Sequence, residues 1–282
     1  MKKSLFAFLL LITVMAVNAQ EAVKDSTKFW TRKGNISLLF NQSSYNDQWL
    51  GGGTSNIAGN FGLNYDFNYK KEDVVWDNKF ILAYGLSKIK GDNPTAKTDD
   101  RIELNSLWGK KASNNWYYSA YFNFKSQMDT GLNSDGDRIS HFFSPAYFQI
   151  GPGMLWKKND NLSVNFAPAA ARAIFVDRHF TNLGPSFGVE QGNNSRFEFG
   201  ASISAYYKLN LMTNVSIENR LNLYSNYLED PQNVDIDYQM NVVMKINKYL
   251  SANVALQAIY DDNSIKGVQV KELFGLGVNY GF

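Results

Sequence analysis

The stretch that most restricts this chain is Ile57 to Tyr69, IAGNFGLNYDFNY. Ile57, Gly59, Phe61, Leu63, Tyr65, Phe67 and Tyr69 fall on one side of an extended backbone, and Ala58, Asn60, Gly62, Asn64, Asp66 and Asn68 on the other. Successive side chains of a strand point to opposite faces, so a period of two with one apolar face is a strand and not a helix. The pattern returns in Trp76 to Ser87, Tyr118 to Lys125, Arg196 to Tyr207 and Val234 to Lys245, and it ends the chain, with Phe274, Leu276, Val278, Tyr280 and Phe282 alternating with Gly275, Gly277, Asn279 and Gly281. Twelve such segments centre near residues 37, 62, 81, 104, 121, 150, 168, 202, 220, 240, 256 and 277.

Long alternating strands need somewhere to put their apolar faces. A β-sandwich turns them into one shared core, but its strands average about five or six residues. These segments are longer than the roughly 9 to 11 residues that cross a bilayer as a tilted strand. In hydrocarbon a closed barrel satisfies every backbone group, and an even strand count brings both termini to one side. No stretch of the mature chain holds 18 consecutive apolar residues, so a transmembrane helix is not expected there. The fold predicted is all-β, a transmembrane antiparallel up-and-down β-barrel of about 12 strands with short periplasmic turns and longer outer loops.

The connections alternate in the same sense. Short links fall at 70–73, 111–115, 157–161, 210–214 and 247–250; longer ones fall at 43–54, 89–98, 128–140, 177–194, 228–233 and 261–270. Trp76, Trp108, Trp116 and Trp156 each lie near a short link with the apolar parity of their strands. Indole favours the lipid–water boundary, so they read as part of an inner aromatic girdle.

At the N-terminus, Lys2 and Lys3 precede an apolar run to Val17 and then Val17-Asn18-Ala19, the layout of a secretory signal. The domain reading is a signal peptide at 1–19, a periplasmic N-terminal segment at 20–32 and the barrel at 33–282. Without Lys2 and Lys3 the basic and acidic side chains are equal in number, which gives no argument for nucleic acid as a partner. There is no cysteine, hence no disulfide, thiolate metal site or cysteine nucleophile.

Parity also assigns the lumen. Its acids include Asp66, Asp77, Glu103, Glu198, Glu218, Asp235 and Asp237, and its bases Lys79, Arg101, Lys125, Arg196, Arg220 and Lys245. Arg101, Glu103, Lys125, Arg196, Glu198, Glu218 and Arg220 are the expected lumen-lining site residues, with Arg196/Glu198 read as lying beside Glu218/Arg220. Such a set is either the lining of a solute channel or a ladder of charges paired against isolated burial; the near-equal signs favour the ladder. Small inward residues such as Gly62, Gly85, Ser119 and Gly275 are expected to leave room, and the loop at 177–194 is long enough to fold into it. One segment resists: the parity of Leu162, Val164 and Phe166 would turn Arg172 to lipid, at about 2 to 4 kcal/mol in mid-bilayer. A bulge near Pro168–Ala171 is expected to flip the register.

Other motifs carry less. Two histidines, His141 and His179, form no metal cluster in the sequence. Asp135-Gly136-Asp137 lacks the remaining ligands of a calcium loop and reads as a polar turn. Ser140, His141 and Ser144 sit at spacings that put nucleophile and base on opposite sides of a strand, so no enzyme, no catalytic residue, no metal and no cofactor is expected. The loop from Asn41 to Gly53 holds Tyr45, Trp49 and three glycines, and reads as a tight outer-loop fold capped by aromatics.

Trp30-x-x-x-Gly34, Phe40-Asn41-Gln42-Ser43-Ser44-Tyr45 and Trp49-x-Gly51-Gly52-Gly53 resemble the N-terminal signature of an uncharacterised outer-membrane barrel family of Bacteroidota. That resemblance implies no catalytic or binding residue. The chain is expected in the outer membrane of a Gram-negative bacterium with both termini periplasmic. Its expected partners are outer-membrane lipid, the barrel-assembly machinery through the C-terminal strand ending at Phe282, and envelope proteins. The expected activity is a small-solute channel or transporter, against a closed barrel serving as an accessory subunit in assembly, secretion or anchoring, with a lipid-modifying barrel enzyme third.

Overall fold

The computed structural model describes residues 29–46, 54–91, 95–133 and 135–282. The expected signal peptide and the Trp49 to Gly53 part of the expected signature lie outside the described residues. Strands β1 (Trp30–Ser43), β2 (Asn56–Lys71), β3 (Val74–Ile89), β4 (Ala96–Ser113) and β5 (Trp116–Ser126) are followed by a small hairpin, β6 (Gly131–Leu132) and β7 (Arg138–Ser140). Then come β8 (Ala146–Asn159), β9 (Leu162–Phe175), β10 (Ser195–Met212), β11 (Val215–Asn226), β12 (Val234–Lys245), β13 (Leu250–Asp261) and β14 (Ile265–Gly281). All but β6 and β7 join in one closed antiparallel barrel, in which each strand pairs with its sequence neighbour and β14 pairs with β1. Trp30 to Arg32, assigned from sequence to the tail, pair with Tyr69 to Phe67 inside the sheet.

One rim carries the tight turns. Two-residue links join β2 to β3, β4 to β5, β8 to β9 and β10 to β11. Glu72, Asn114 and Asn214 there take positive φ of 50°, 48° and 69°, the twist that suits a two-residue hairpin. Trp76 pairs with Trp108 and Trp116 with Trp156 just above this rim. Trp30 adds its ring at 5.9 Å from Trp76. Higher on the outer surface, apolar side chains stand open, with Ile150 56% and Phe197 64% exposed. An outward apolar band above an aromatic girdle is the surface that a bilayer covers.

The expected outer link at 261–270 is a three-residue turn, 262–264. β14 reaches back to Ile265 because Ile265, Val268 and Val270 favour strand, and a bulge absorbs Lys266 and Gly267 before Tyr260 meets Val268. The link read as 128–140 runs from 127 to 145 and holds the β6–β7 hairpin.

The bulge in β9 lies where Arg172 required it. Ser202 pairs with Ala167 but Gly200 with Ala170, so β9 carries one extra residue and its parity flips. Asn165 and Ala167 face inward before the bulge; Ala170, Arg172 and Ile174 face inward after it. Tyr227 Oη donates to Pro168 O at 3.1 Å, satisfying a carbonyl in the irregular stretch.

Glycine and serine do not leave the room expected of them. A Cβ on Gly85 would collide with Asn60 Oδ1 and Thr98 Oγ1, which fill the space beside it. Ser119 Oγ donates to Asn165 Oδ1 at 2.6 Å. Small residues here let neighbouring side chains fill the interior. Towards the tight-turn rim, Val75 and Leu155 are buried and pack with Tyr117 over Gly109.

The closing seam is the weak line of the barrel. β1 and β14 pair over six residue pairs, Asn35↔Gly281 to Phe40↔Leu276, whereas every other barrel junction has ten or more. Gly34 and Phe282 exchange both backbone hydrogen bonds, and Asn279 N–H donates to Tyr249 O. Even-numbered residues of β14 therefore face β1 and odd-numbered ones face β13. Beyond Leu276 the even set has no ladder partner among the described residues. Hydrogen exchange of the folded protein should show fast amides at Val268, Val270 and Glu272 beside slow ones at Gln269 and Lys271. Equal protection of both sets would mean that a further strand covers this edge.

Candidate functional site

The interior is crossed by charges. β3 and β11 lie six strands apart in the twelve-strand ring, on opposite walls, yet Lys79 Nζ meets Glu218 Oε1 at 3.0 Å. Lys79 also lies 3.6 Å from Asp66, and Arg220 Nη2 lies 2.7 Å from Glu218. β4 and β12 are likewise opposite, and Arg101 Nη1 donates to Gln239 Oε1 at 2.9 Å. Lys125 on β5 reaches Asp237 on β12 at 3.1 Å, and Asp237 accepts from Gln257 at 2.8 Å. Glu103, 3.6 Å from Arg101, accepts from Asn105 at 2.7 Å, and Asn105 accepts from Asn123. Contacts between facing walls run through the inside, so these side chains form a belt across the lumen.

A second network lies nearer the loop rim. Arg172 bridges Glu198 at 3.3 Å and Asp235 at 2.5 Å, and its guanidinium sits 3.6 Å above the Tyr224 ring. Arg196 pairs with Glu198 at 2.7 Å and with Glu229 at 2.9 Å, and donates to Gly188 O at 3.0 Å. The expected neighbourhood of Arg196/Glu198 and Glu218/Arg220 does not form. The β10–β11 hairpin pairs Tyr206 with Arg220 and Lys208 with Glu218, which leaves Glu198 at the far end of its strand. The seven site residues thus divide: Arg101, Glu103, Lys125, Glu218 and Arg220 belong to the belt, Arg196 and Glu198 to the outer network. Lys271, which reaches Asp99 at 2.8 Å, and Lys157, which holds Asp77 at 2.6 Å, were not among them. Parity could have flagged each one's face but not its partner on a remote strand.

The energetics favour keeping these pairs. A lone charge in a low-dielectric interior costs several kcal/mol, and removing one partner of a buried pair typically costs about 3–5 kcal/mol. Among the described residues, Asp235, Asp261 and Asp262 bring carboxylate oxygens within 4.8 Å of one another. Arg172 already compensates Asp235, and Asn233 donates to Asp262 at 2.6 Å.

Between the belt and the loops lies a chamber of ≈ 400 Å³. Tyr121, Tyr147, Gln149, Arg172 and Tyr224 form part of its wall, and Phe187 enters from the loop at 176–194. That loop folds in as its length suggested, around a small core of Ile174, Val176, Phe180 and Val189.

His141 and Asp177 tie the loop to its neighbour at 3.0 Å. His141 Nδ1 lies 2.7 Å from Phe142 O, and Ser144 Oγ accepts the Asp177 N–H at 2.8 Å. Ser144 is buried with its Oγ taken up by Asp177, and no hydrogen bond joins that Oγ to the His141 imidazole among the described residues. Near Asp135, Asn133 Oδ1 accepts the N–H groups of Asp135 and Asp137 at 3.0 and 2.8 Å, a turn closing on its own backbone.

A family model described as a protein of unknown function (DUF3078) matches residues 40–132. It covers the signature from Phe40 onward. No curated protein matches. Solved structures similar to the chain include an outer membrane channel from Pseudomonas putida F1, 11% identical over 93% of this chain and 98% of that one, TM-score 0.40. The translocator domain of the autotransporter NalP from Neisseria meningitidis is 10% identical, covering 100% of this chain and 98% of that one, TM-score 0.34. The outer membrane channel DcaP of Acinetobacter baumannii is 10% identical over 90% and 96%, TM-score 0.33.

The His179 backbone N–H, and then the His141 side chain, hold the Asp177 carboxyl below its ordinary value of 3.8. A depressed carboxylate stabilises the fold above its unfolded pKa, and that contribution is lost as pH falls through the folded value. Trypsin cleavage after Arg178 should therefore stay slow from pH 7 down to about pH 5 and be several-fold faster in Asp177→Ala, which removes the acceptor of both bonds. Equal rates in both proteins would mean that the contact does not hold the loop.

Proposed function

We propose that this chain is an outer-membrane barrel of a Gram-negative bacterium, with both termini periplasmic, that admits a small solute into its lumen and conducts it only when the ionic belt yields. The apolar outer band and the girdle at the tight-turn rim support the location. The observation that carries the activity is the Lys79–Glu218 contact between opposite walls, below a chamber that the loops roof. A diffusion pore keeps its walls apart; here they are joined. The lumen-lining roles of Arg101, Glu103, Lys125, Glu218 and Arg220 follow from this reading: they hold the belt, and Arg196 and Glu198 hold the loop above the chamber.

A specific observation favours the accessory-subunit reading as the second. Phe142, Leu183 and Leu228 on the loop rim are 64%, 80% and 65% exposed, beyond the strands that lipid covers. Apolar surface placed there suits an envelope protein partner.

The test is single-channel recording of the folded protein in a planar bilayer. The wild type should be quiet or nearly so. Replacing Lys79, Glu218 and Arg220 together by Ala should give discrete, larger steps. Wild-type conductance equal to the variant's would remove the belt as the barrier. Silence of both proteins, with folding verified by heat-modifiable gel migration, would make the accessory subunit the leading reading.

A further inference from the structure

The seam between β1 and β14 opens into a slot on its loop side. There the end of β1 belongs to β2: Asn41 to Ser43 pair with Ala58 to Asn56, and Ser43 Oγ donates to Thr54 O at 3.2 Å. The Tyr45 N–H donates to Ser55 Oγ at 2.9 Å, which carries the chain further to that side. β14 continues past Leu276 to Ile265, paired only with β13. Phe274, Glu272, Val270 and Val268 therefore turn their N–H and C=O groups to the slot, and no described residue pairs with them. Donors and acceptors repeat there at every second residue over roughly 20 Å, the demand of one more extended backbone. An open strand edge is a template for such a strand.

The two sides of the slot narrow what fills it. On the inner side Lys271 Nζ meets Asp99 at 2.8 Å, and Asn60 and Thr98 fill the space beside Gly85. A solute entering sideways towards the chamber meets this wall. On the outer side Val268 and Val270 are 65% and 66% exposed, more open than Val278 at 46%, where β1 covers the edge. Glu272 shares that outward face, opposite Leu256 of β13, and its side chain has no ion pair or hydrogen bond among the described residues. An acyl chain covers the valines but pairs with neither an N–H nor a C=O. A second copy upright in the same membrane brings its β14 alongside in parallel, and its β1 end is engaged by its own β2. The ladder that β1 begins here is antiparallel.

We propose that the slot receives an extended segment of roughly seven residues from an envelope protein, running antiparallel to β14 in continuation of β1. Its outward side chains are apolar beside Val268, Val270 and Phe274, and a Lys or Arg stands opposite Glu272. The backbone ladder holds the segment, and the charge pair across the strands sets its register. This rests on the outer-membrane reading, and it gives the accessory-subunit role a contact separate from the loop rim.

Hydrogen exchange of the folded barrel in detergent tests it, with the heptapeptide Val-Thr-Lys-Thr-Val-Thr-Val as the probe. At saturation the amides of Val268, Val270, Glu272 and Phe274 should slow at least tenfold, while Gln269 and Lys271 stay as they were. The same peptide methylated on the backbone nitrogen of its fifth residue loses the donor facing Val270 and should not protect. Glu272→Gln, with folding verified by heat-modifiable migration, should weaken the probe's binding about threefold, as should Glu for Lys in the peptide. No protection by the probe, or equal protection by its methylated form, would overturn the proposal. So would even-numbered amides already slow in the protein alone, which would mean that lipid, a second copy or residues 47–53 cover the edge. Unchanged binding after both charge replacements would overturn the stated chemistry of the partner. A barrel that stays folded and soluble without detergent refutes the membrane reading; an unprotected edge in a detergent-held barrel refutes this proposal alone.

Discussion

Everything in this molecule follows from the need to pair backbone N–H and C=O groups where lipid offers no partner. Each unsatisfied group in hydrocarbon costs several kcal/mol, so an alternating chain has to close its sheet on itself. β14 meeting β1 achieves this, with Gly34 and Phe282 exchanging both hydrogen bonds at the tight-turn rim. The same requirement marks the weak place. Beyond Phe40 and Leu276 the two strands part, and the even residues of β14 lose the ladder that their odd neighbours keep with β13.

Closure with the apolar face outward reverses the usual order of a folded domain. The interior is polar, and its charges have to find one another. In a wide bore, water would solvate them singly. Here Lys79 meets Glu218 and Arg101 meets Gln239 from opposite walls. The electrostatic solution and the closed lumen are thus one arrangement. The belt below and the loop of Phe187 above leave a chamber between them, which is a different object from a porin's channel. The two proposed roles, solute passage through the belt and partner binding at Phe142, Leu183 and Leu228, draw on separate parts of the molecule.

The fold was legible because side-chain parity is a local property. Ile57 to Tyr69 declares its two faces without reference to any other strand, and the short links declare the rim. Even the β9 bulge was legible, since Arg172 could not remain in lipid and the run Pro168–Ala171 offered a place for the irregularity. What parity cannot convey is distance across a ring. Lys79 and Glu218 are far apart in chain order and meet only because the barrel brings β3 opposite β11. The same limit misplaced Arg196/Glu198 beside Glu218/Arg220, because a shared face says nothing about height along a hairpin. It also made Gly85 look like vacant space, when Asn60 and Thr98 occupy it.

The account stands on opposite walls touching through the belt. The chain has no cysteine, so Lys79→Cys with Glu218→Cys introduces the only two thiols in the protein. Treatment of the folded variant with a short bis-maleimide measures that contact directly. The account predicts rapid internal cross-linking, seen as a shift in the migration of the unfolded chain, and none when the second cysteine replaces Phe197, outward at the loop end of β10, instead of Glu218. Failure of the two introduced thiols to link, while each reacts singly with a maleimide, would mean that the walls stand apart and the lumen is open.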